Sequence, residues 1–322
     1  MISSEARLKT ASLVLAAFSL ALAATSADAE DRTLARMLQS VPHEFDRDGL
    51  EASVAFQDED GALRSGVRCA TRPIADFERQ FIGSAIDQHI RAVGVGHRKH
   101  DFEVPVHFTI LRKKDGSWNV SNSQISEQLD VLNRAFESTG ISFVLDGVTR
   151  KKKKKFAKKC LKESVERKFK KRFSVEPATT LNIYTCRPKD EVLGYAYFPS
   201  DYPEDSFMHG IVLLHSVLPG GRAFPYDLGD TAVHEAGHYF GLYHTFQGGC
   251  SKKNDRISDT PREKRPASGC PVSRDTCPEP GLDPVTNYMD YSDDACVEEF
   301  TPEQSIWMKD QTETFRPKLA GS

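Results

Sequence analysis

TAVHEAGHYFGLYH, residues 231–244, holds three of the ten histidines in the 322-residue chain. His234 and His238 are four apart. On a helix that spacing puts both imidazoles on one face, one turn apart, where they can ligate one zinc ion. Glu235 flanks the same face and can reach a water at the metal without binding the metal itself. An unbroken helix would carry His244 away. Gly241 can take a left-handed backbone, end the helix and turn His244 back as third ligand. Three neutral imidazoles plus a water form an open, tetrahedral catalytic site. Histidines merely hydrogen-bonded inside a core would not require His234, Glu235, His238, Gly241 and His244 in this order.

The chain before this helix has an α/β pattern. VPVHFTIL (104–111), ISFVL (141–145), TLNIYT (180–185), LGYAYF (193–198) and GIVLLH (210–215) read as five strands. GIVLLH, just before the active helix, is positioned to pair with an extended substrate. Ser123 can cap a helix carrying Ile125, Leu129, Leu132 and Phe136 at helical spacing. Upstream, IADFERQFIGSAIDQHIRAV (74–93) reads as a helix with Phe77, Phe81 and Ile86 on one face. In KKKKKFAKKCLKESVERKFKKRF (151–173), Phe156, Cys160, Val165, Phe169 and Phe173 define one amphipathic helix with a strongly basic outer face. That face is either solvated or, over 151–172, an anion-binding patch for polysaccharide, headgroups or acidic protein. From 245 to 300 the chain is irregular and rich in Gly, Pro, Asp and Cys. TPEQ (301–304) then opens a last helix, with Thr301 as N-cap, Pro302 in the first turn and Gln304 completing a capping box.

A net charge of −3 and ordinary composition argue against a nucleic-acid partner and against global disorder. Arg7 and Lys9, an apolar run to about Ala24 and Ala27-Asp28-Ala29 read as a signal peptide over 1–29. No later stretch is long and apolar enough to span a membrane. The expectation is a soluble, secreted protein. Seven cysteines suit an oxidising compartment, and the odd number leaves one thiol over.

HEAGHYFGLYH follows the H-E-x-x-H-x-x-G-x-x-H pattern of the metzincin metalloproteases, and Met289 in NYMDY (287–291) is a candidate for their methionine turn. LPGGRAFPYDLGDTAVHEAGHYFGLYHTFQGGC (218–250), DTP (259–261) and NYMDYSDDAC (287–296) resemble the pappalysin family, over roughly residues 104 to 315. The resemblance implies an α/β (α+β) metzincin-type catalytic domain. It would have a twisted, mixed five-stranded sheet, backing and active-site helices, and an irregular disulfide-linked C-terminal subdomain from 245. It implies zinc on His234, His238 and His244, Glu235 as general base, Met289 below the histidines and Tyr291 at the oxyanion. It also suggests bridges Cys250–Cys277 and Cys270–Cys296. Elimination leaves Cys160–Cys186, although Cys160 also fits the apolar helix face as a free buried thiol.

Related pro-segments carry Cys-Gly-Thr, whose thiolate ligates zinc and keeps the zymogen latent. Here the element reads Cys69-Ala70-Thr71. The implied organisation is a pro-segment over about 30–100 acting as the enzyme's own inhibitor, then a catalytic domain over 101–322. HRK (97–99) is the expected point of cleavage. Short family members bind calcium through the loop corresponding to NDRISDTP (254–261), which supplies Asp255, Asp259 and the Thr260 carbonyl. The expected activity is a secreted zinc endopeptidase acting on proteins or peptides. The competing expectation is a non-catalytic, zinc-stabilised binding protein using its Lys-rich face.

Overall fold

The computed structural model describes residues 53–58, 60–93, 101–188 and 191–321. The signal-peptide reading at 1–29, the first part of the upstream segment and HRK (97–99) lie outside them.

Apolar alternation and buried β-branched runs build one mixed sheet. Its order is β1 (Ser53–Gln57), β2 (Leu63–Cys69), β6 (Val192–Ala196), β7 (Ile211–Leu214), β5 (Leu181–Cys186), β3 (Phe102–Arg112) and β4 (Ile141–Lys152). The strands β7, β5, β3 and β4 pair in parallel, and β6 lies antiparallel to β7. These five match the five strands expected. The sheet has seven strands because the upstream segment adds a hairpin: β1 and β2 are antiparallel, and β2 pairs in parallel with β6. In β1 only Val54 and Phe56 alternate inward, too short a pattern to read as a strand from sequence.

One face of the sheet is covered by α2 (Asn122–Phe136) and α5 (Asp230–Tyr239), through Ile125, Leu132, Phe136, Val233 and Phe240. The other face is covered by α3 (Lys154–Lys158) and α4 (Glu163–Phe173), through Ala157, Val165, Phe169 and Phe173. Burying a side chain such as Phe169 contributes about 1.5–3 kcal/mol.

Four local expectations are corrected. The N-cap of α2 is Ser121, not Ser123: Ser121 Oγ accepts from the Gln124 N–H, and Gln124 Oε1 accepts from the Ser121 N–H. The Lys-rich stretch is two helices rather than one. Its first residues finish β4, and the turn between α3 and α4 is tied by Cys160–Cys186 to the end of β5. In α1 (Asp76–Val93) the packed face is Ile82 and Ile86, while Phe77 is 67% exposed. Finally, GIVLLH forms β7 between β5 and β6, so both its edges are used; the strand that takes the upstream hairpin is β6.

The C-terminal part is irregular as expected and is held by Cys250–Cys277 and Cys270–Cys296. It is followed by α6 (Pro302–Phe315), whose Thr301–Gln304 capping box is in place, and by a last short helix, Pro317–Ala320.

Candidate zinc and catalytic site

Every residue of α5 from Thr231 to Tyr239 is buried. The helix ends as the sequence requires. Gly241 takes φ +98°, the Leu242 N–H donates to the Gly237 carbonyl (2.9 Å), and the Gly241 N–H donates to the His238 carbonyl (2.9 Å). This is a Schellman ending, and it reverses the chain within one turn. A side chain at position 241 would be strained by φ, and its Cβ would lie 2.6 Å from Gln311. Gly241→Ala is therefore expected to cost about 1–3 kcal/mol and to weaken metal retention, since the turn delivers His244. A Tm and bound metal equal to the wild type would contradict this.

His234 Nδ1 donates to the Tyr288 carbonyl (2.7 Å), and His238 Nδ1 donates to the Leu242 carbonyl (2.7 Å). Those bonds fix the tautomer and leave both Nε2 lone pairs free for a metal. His234 Nε2 is buried without a hydrogen-bond partner. His238 Nε2 and His244 Nε2 stand 3.0 Å apart. Burial holds all three imidazoles below their usual pKa, His238 at about 4, so they are neutral ligands. The ligand atoms of Cys69, His234, His238 and His244 all lie within 4.8 Å of one another. The orphaned lone pair, the fixed tautomers and this borderline-soft donor set fit zinc.

Met289 is fully buried with its sulfur against Gly237, on the helix that carries the histidines. The Tyr291 hydroxyl lies 3.2 Å from His244 Nε2. Glu235 projects over Gly194 of β6, and its Oε2 accepts from the Thr71 hydroxyl at 3.0 Å. Burial pushes Glu235 up to about 8, opposed by Cys69, Thr71 and Arg68.

The upstream segment reaches this site along the edge of β6. Cys69 lies opposite Gly194 in the β2–β6 ladder, and the Ala70 N–H donates to the Gly194 carbonyl (2.9 Å). Ala70 replaces the related glycine without a left-handed backbone, so the change costs no strain there. Cys69 is the unbridged cysteine among the described residues, and it is buried. Three neighbours were not assigned a role from sequence. Thr71 donates to Glu235. Arg72 pairs with Asp201 (2.6 Å) and Glu78 (3.1 Å). Arg68, 1% exposed, donates to Thr231 Oγ1 (2.6 Å), pairs with Asp294 (3.4 Å) and stacks over Tyr226 (4.7 Å). Thr71 carried a signal in the Cys-x-Thr element; single arginines in a mixed segment carry none.

The two carboxylates expected to hold calcium, Asp255 and Asp259, accept hydrogen bonds within the protein. Asp255 is buried and accepts from the Ile257 N–H (3.1 Å) and the Thr260 hydroxyl (2.7 Å). Asp259 instead accepts from the Thr301 hydroxyl (2.6 Å) and the Glu303 N–H (2.9 Å) at the start of α6. Among the described residues, the grouping of side chains spaced to hold an ion is that of Cys69 and the three histidines.

The M43 peptidase family, described as pregnancy-associated plasma protein-A, matches residues 179–313. An extracellular metalloprotease of Colletotrichum graminicola is 42% identical over 211 residues, covering 64% of this chain and 74% of that protein. One from Pyricularia oryzae is 41% identical over 214 residues, covering 66% and 74%. The chain belongs to the pappalysin (M43) family of metalloproteases. Two solved structures are similar. A glutamate-to-alanine mutant of Tannerella forsythia promirolysin has TM-score 0.66 and 25% identity, covering 76% of this chain and 92% of that one. Mature mirolysin in complex with a cleaved peptide has TM-score 0.60 and 27% identity, covering 69% and 96%. As a pappalysin the chain is a zinc metalloendopeptidase, which sets aside the non-catalytic reading. No described helix is long and apolar enough to cross a membrane.

Proposed function

We propose that this pappalysin is exported through its 1–29 signal peptide as a latent zymogen. Residues 30 to about 100 would be its inhibitory pro-segment, and 101–322 its peptidase domain. The observation that carries this reading is the meeting of Cys69, from the upstream strand, with His234, His238 and His244. Its location outside the cell is supported by relatives named as extracellular enzymes.

In this reading His234, His238 and His244 hold zinc in the active enzyme. Bound zinc supplies Lewis acidity, polarising a scissile carbonyl and acidifying a water. Glu235 takes the proton from the attacking water and delivers it to the leaving nitrogen. The Tyr291 hydroxyl donates to the oxyanion as the carbonyl becomes tetrahedral. Met289 does no chemistry and supports the histidine platform. In the zymogen the Cys69 thiolate would hold the metal together with the three histidines. The mature mirolysin structure, a complex with a cleaved peptide, supports a peptide substrate.

Arg68 also suggests a substrate preference. Removing the pro-segment would leave Asp294 and Asp230 facing the vacated space, both raised by burial, to about 6 and about 7. An incoming basic side chain would take over the pairing that Arg68 now makes. The deciding experiment is digestion of a casein peptide mixture by activated enzyme, with and without a chelator, followed by mapping of the cuts. Expected are cuts beside Arg and Lys, abolished by chelation and restored by zinc. Chelator-resistant cleavage would overturn the metal assignment, and cuts indifferent to basic residues would overturn the Arg68 argument.

A structural calcium at Asp255, Asp259 and the Thr260 carbonyl belongs to the same proposal. What supports it is the family resemblance and the burial that lifts Asp255 to about 7, which a cation would relieve. Calcium in excess over its Kd by 100-fold should stabilise the protein by about 2.7 kcal/mol. A Tm indifferent to millimolar calcium would refute the site.

A further inference from the structure

The Lys-rich stretch is not used by the peptidase site. Thirteen of the chain's 43 basic residues and two of its 46 acidic ones fall within 151–173. That segment carries a net +11 against −14 for the rest of the chain. A face that served solubility alone would intersperse both signs. Here Glu166 is buried against Lys170, so Glu163 is the one exposed acid in the stretch. Ten of its cations are exposed, among them Lys154, Arg167, Lys168 and Lys171. Among the described residues, no exposed cation of the stretch lies in an ion pair.

The surface is also ordered by what lies beneath it. Lys151 and Arg172 lie over the Phe173 ring, Arg167 over Phe207, and Lys158 over Trp118. A cation resting on an aromatic face keeps its head in water while its stem is fixed. The patch reaches a second segment as well. Arg112 pairs with Lys152 in the β3–β4 ladder, and Lys113 lies over the same Trp118 ring at 4.2 Å. The helices bearing it cover the sheet face opposite α5, so a molecule seated there leaves the cleft open.

We propose that the outer face of α3, α4 and the end of β4 docks a linear acidic polysaccharide, which holds the peptidase near its substrates. Three observations select this partner. A surface that inserts into a bilayer offers exposed aromatic or aliphatic side chains beside its charges. Here Phe169, Phe173 and Trp118 are buried and Phe156 is half-buried. Duplex nucleic acid is read by arginine forks, whereas eleven of the thirteen cations are lysines. Strongly hydrated lysines in a broad field suit a flexible polyanion bound by release of its counterions. The choice of polysaccharide rests on the extracellular reading, but binding is measured without reference to peptidase activity.

The test uses the full chain on immobilised heparin. Wild type should be retained at 0.15 M NaCl and elute only at higher salt, with a log–log salt slope reflecting at least about three released ions. Lys153, Lys154, Lys155, Arg167, Lys168 and Lys171, all changed to Gln, should weaken binding at least tenfold while the circular dichroism spectrum stays native. Soluble polygalacturonate should compete, which extends the result from sulfate to carboxylate polymers. No retention even in dilute buffer, or retention unchanged in the variant, overturns the proposal. Equal or tighter binding to vesicles containing phosphatidylserine, or to duplex DNA, overturns the choice of polysaccharide. If the variant does not fold, the wild-type salt slope decides, and a slope near zero overturns the proposal.

Discussion

Glu235→Ala is expected to lose about 10²–10⁴-fold in kcat/KM while keeping one zinc per chain. The two outcomes separate because the carboxylate stands beside the metal-binding group rather than in it. The close-set ligand atoms belong to Cys69 and the three histidines. Glu235 is instead held over Gly194, with Thr71 as its hydrogen-bond donor. Its removal takes away the acceptor for the water's proton and the donor to the leaving nitrogen, leaving the imidazole tautomers anchored by the Tyr288 and Leu242 carbonyls. Glu235→Gln should be as inactive, since the amide keeps the shape but cannot accept that proton. Metal analysis and peptide hydrolysis on the same samples check both halves. Turnover near that of the wild type would end the general-base assignment. Loss of zinc in both variants would instead make Glu235 part of the metal site.

Sequence and structure agree best where one residue type has one physical use. The helix of TAVHEAGHYFGLYH, its stop at Gly241 and the Thr301–Gln304 cap all follow from local geometry. Of the five central strands, β5, β6 and β7 were legible as fully buried apolar runs, and β3 and the start of β4 by their alternation. Reading failed where tertiary partners decide. A disulfide at Cys160 splits what periodicity joins into one helix. The hairpin of β1 and β2 is too short for its alternation to stand out, and its pairing with β6 is set by the groove it enters. Which strand takes the upstream segment is a matter of sheet order, which GIVLLH cannot reveal. Arg68 is the clearest case at the site. Nothing in the sequence near Arg68 points to Thr231, Asp294 or Tyr226, which surround it.

A full-length Cys69→Ala chain, kept uncut, should hydrolyse a short fluorogenic peptide roughly tenfold faster than uncut wild type, or more, as loss of one contact worth about 1.4 kcal/mol implies. Full activity is not expected, because the thiol is one of several anchors. Arg68 remains on Thr231 and Asp294, Arg72 on Asp201 and Glu78, Thr71 on Glu235, and the β2–β6 ladder stays paired. The segment would then release the cleft transiently rather than leave it. Adding Arg68→Ala should raise the rate again, because it frees the pocket beside Thr231 without touching a zinc ligand. Cys69→Ser should lie between wild type and Cys69→Ala, since a hydroxyl is a poorer zinc ligand than a thiolate. Mass spectrometry of each assay sample must show the uncut chain, so that activity from self-processing is not counted as release. If Cys69→Ala is as silent as the wild type, while removal of the segment activates both, then strand pairing and the arginines alone impose latency. The thiol at the histidines would then be a buried cysteine with no switching role.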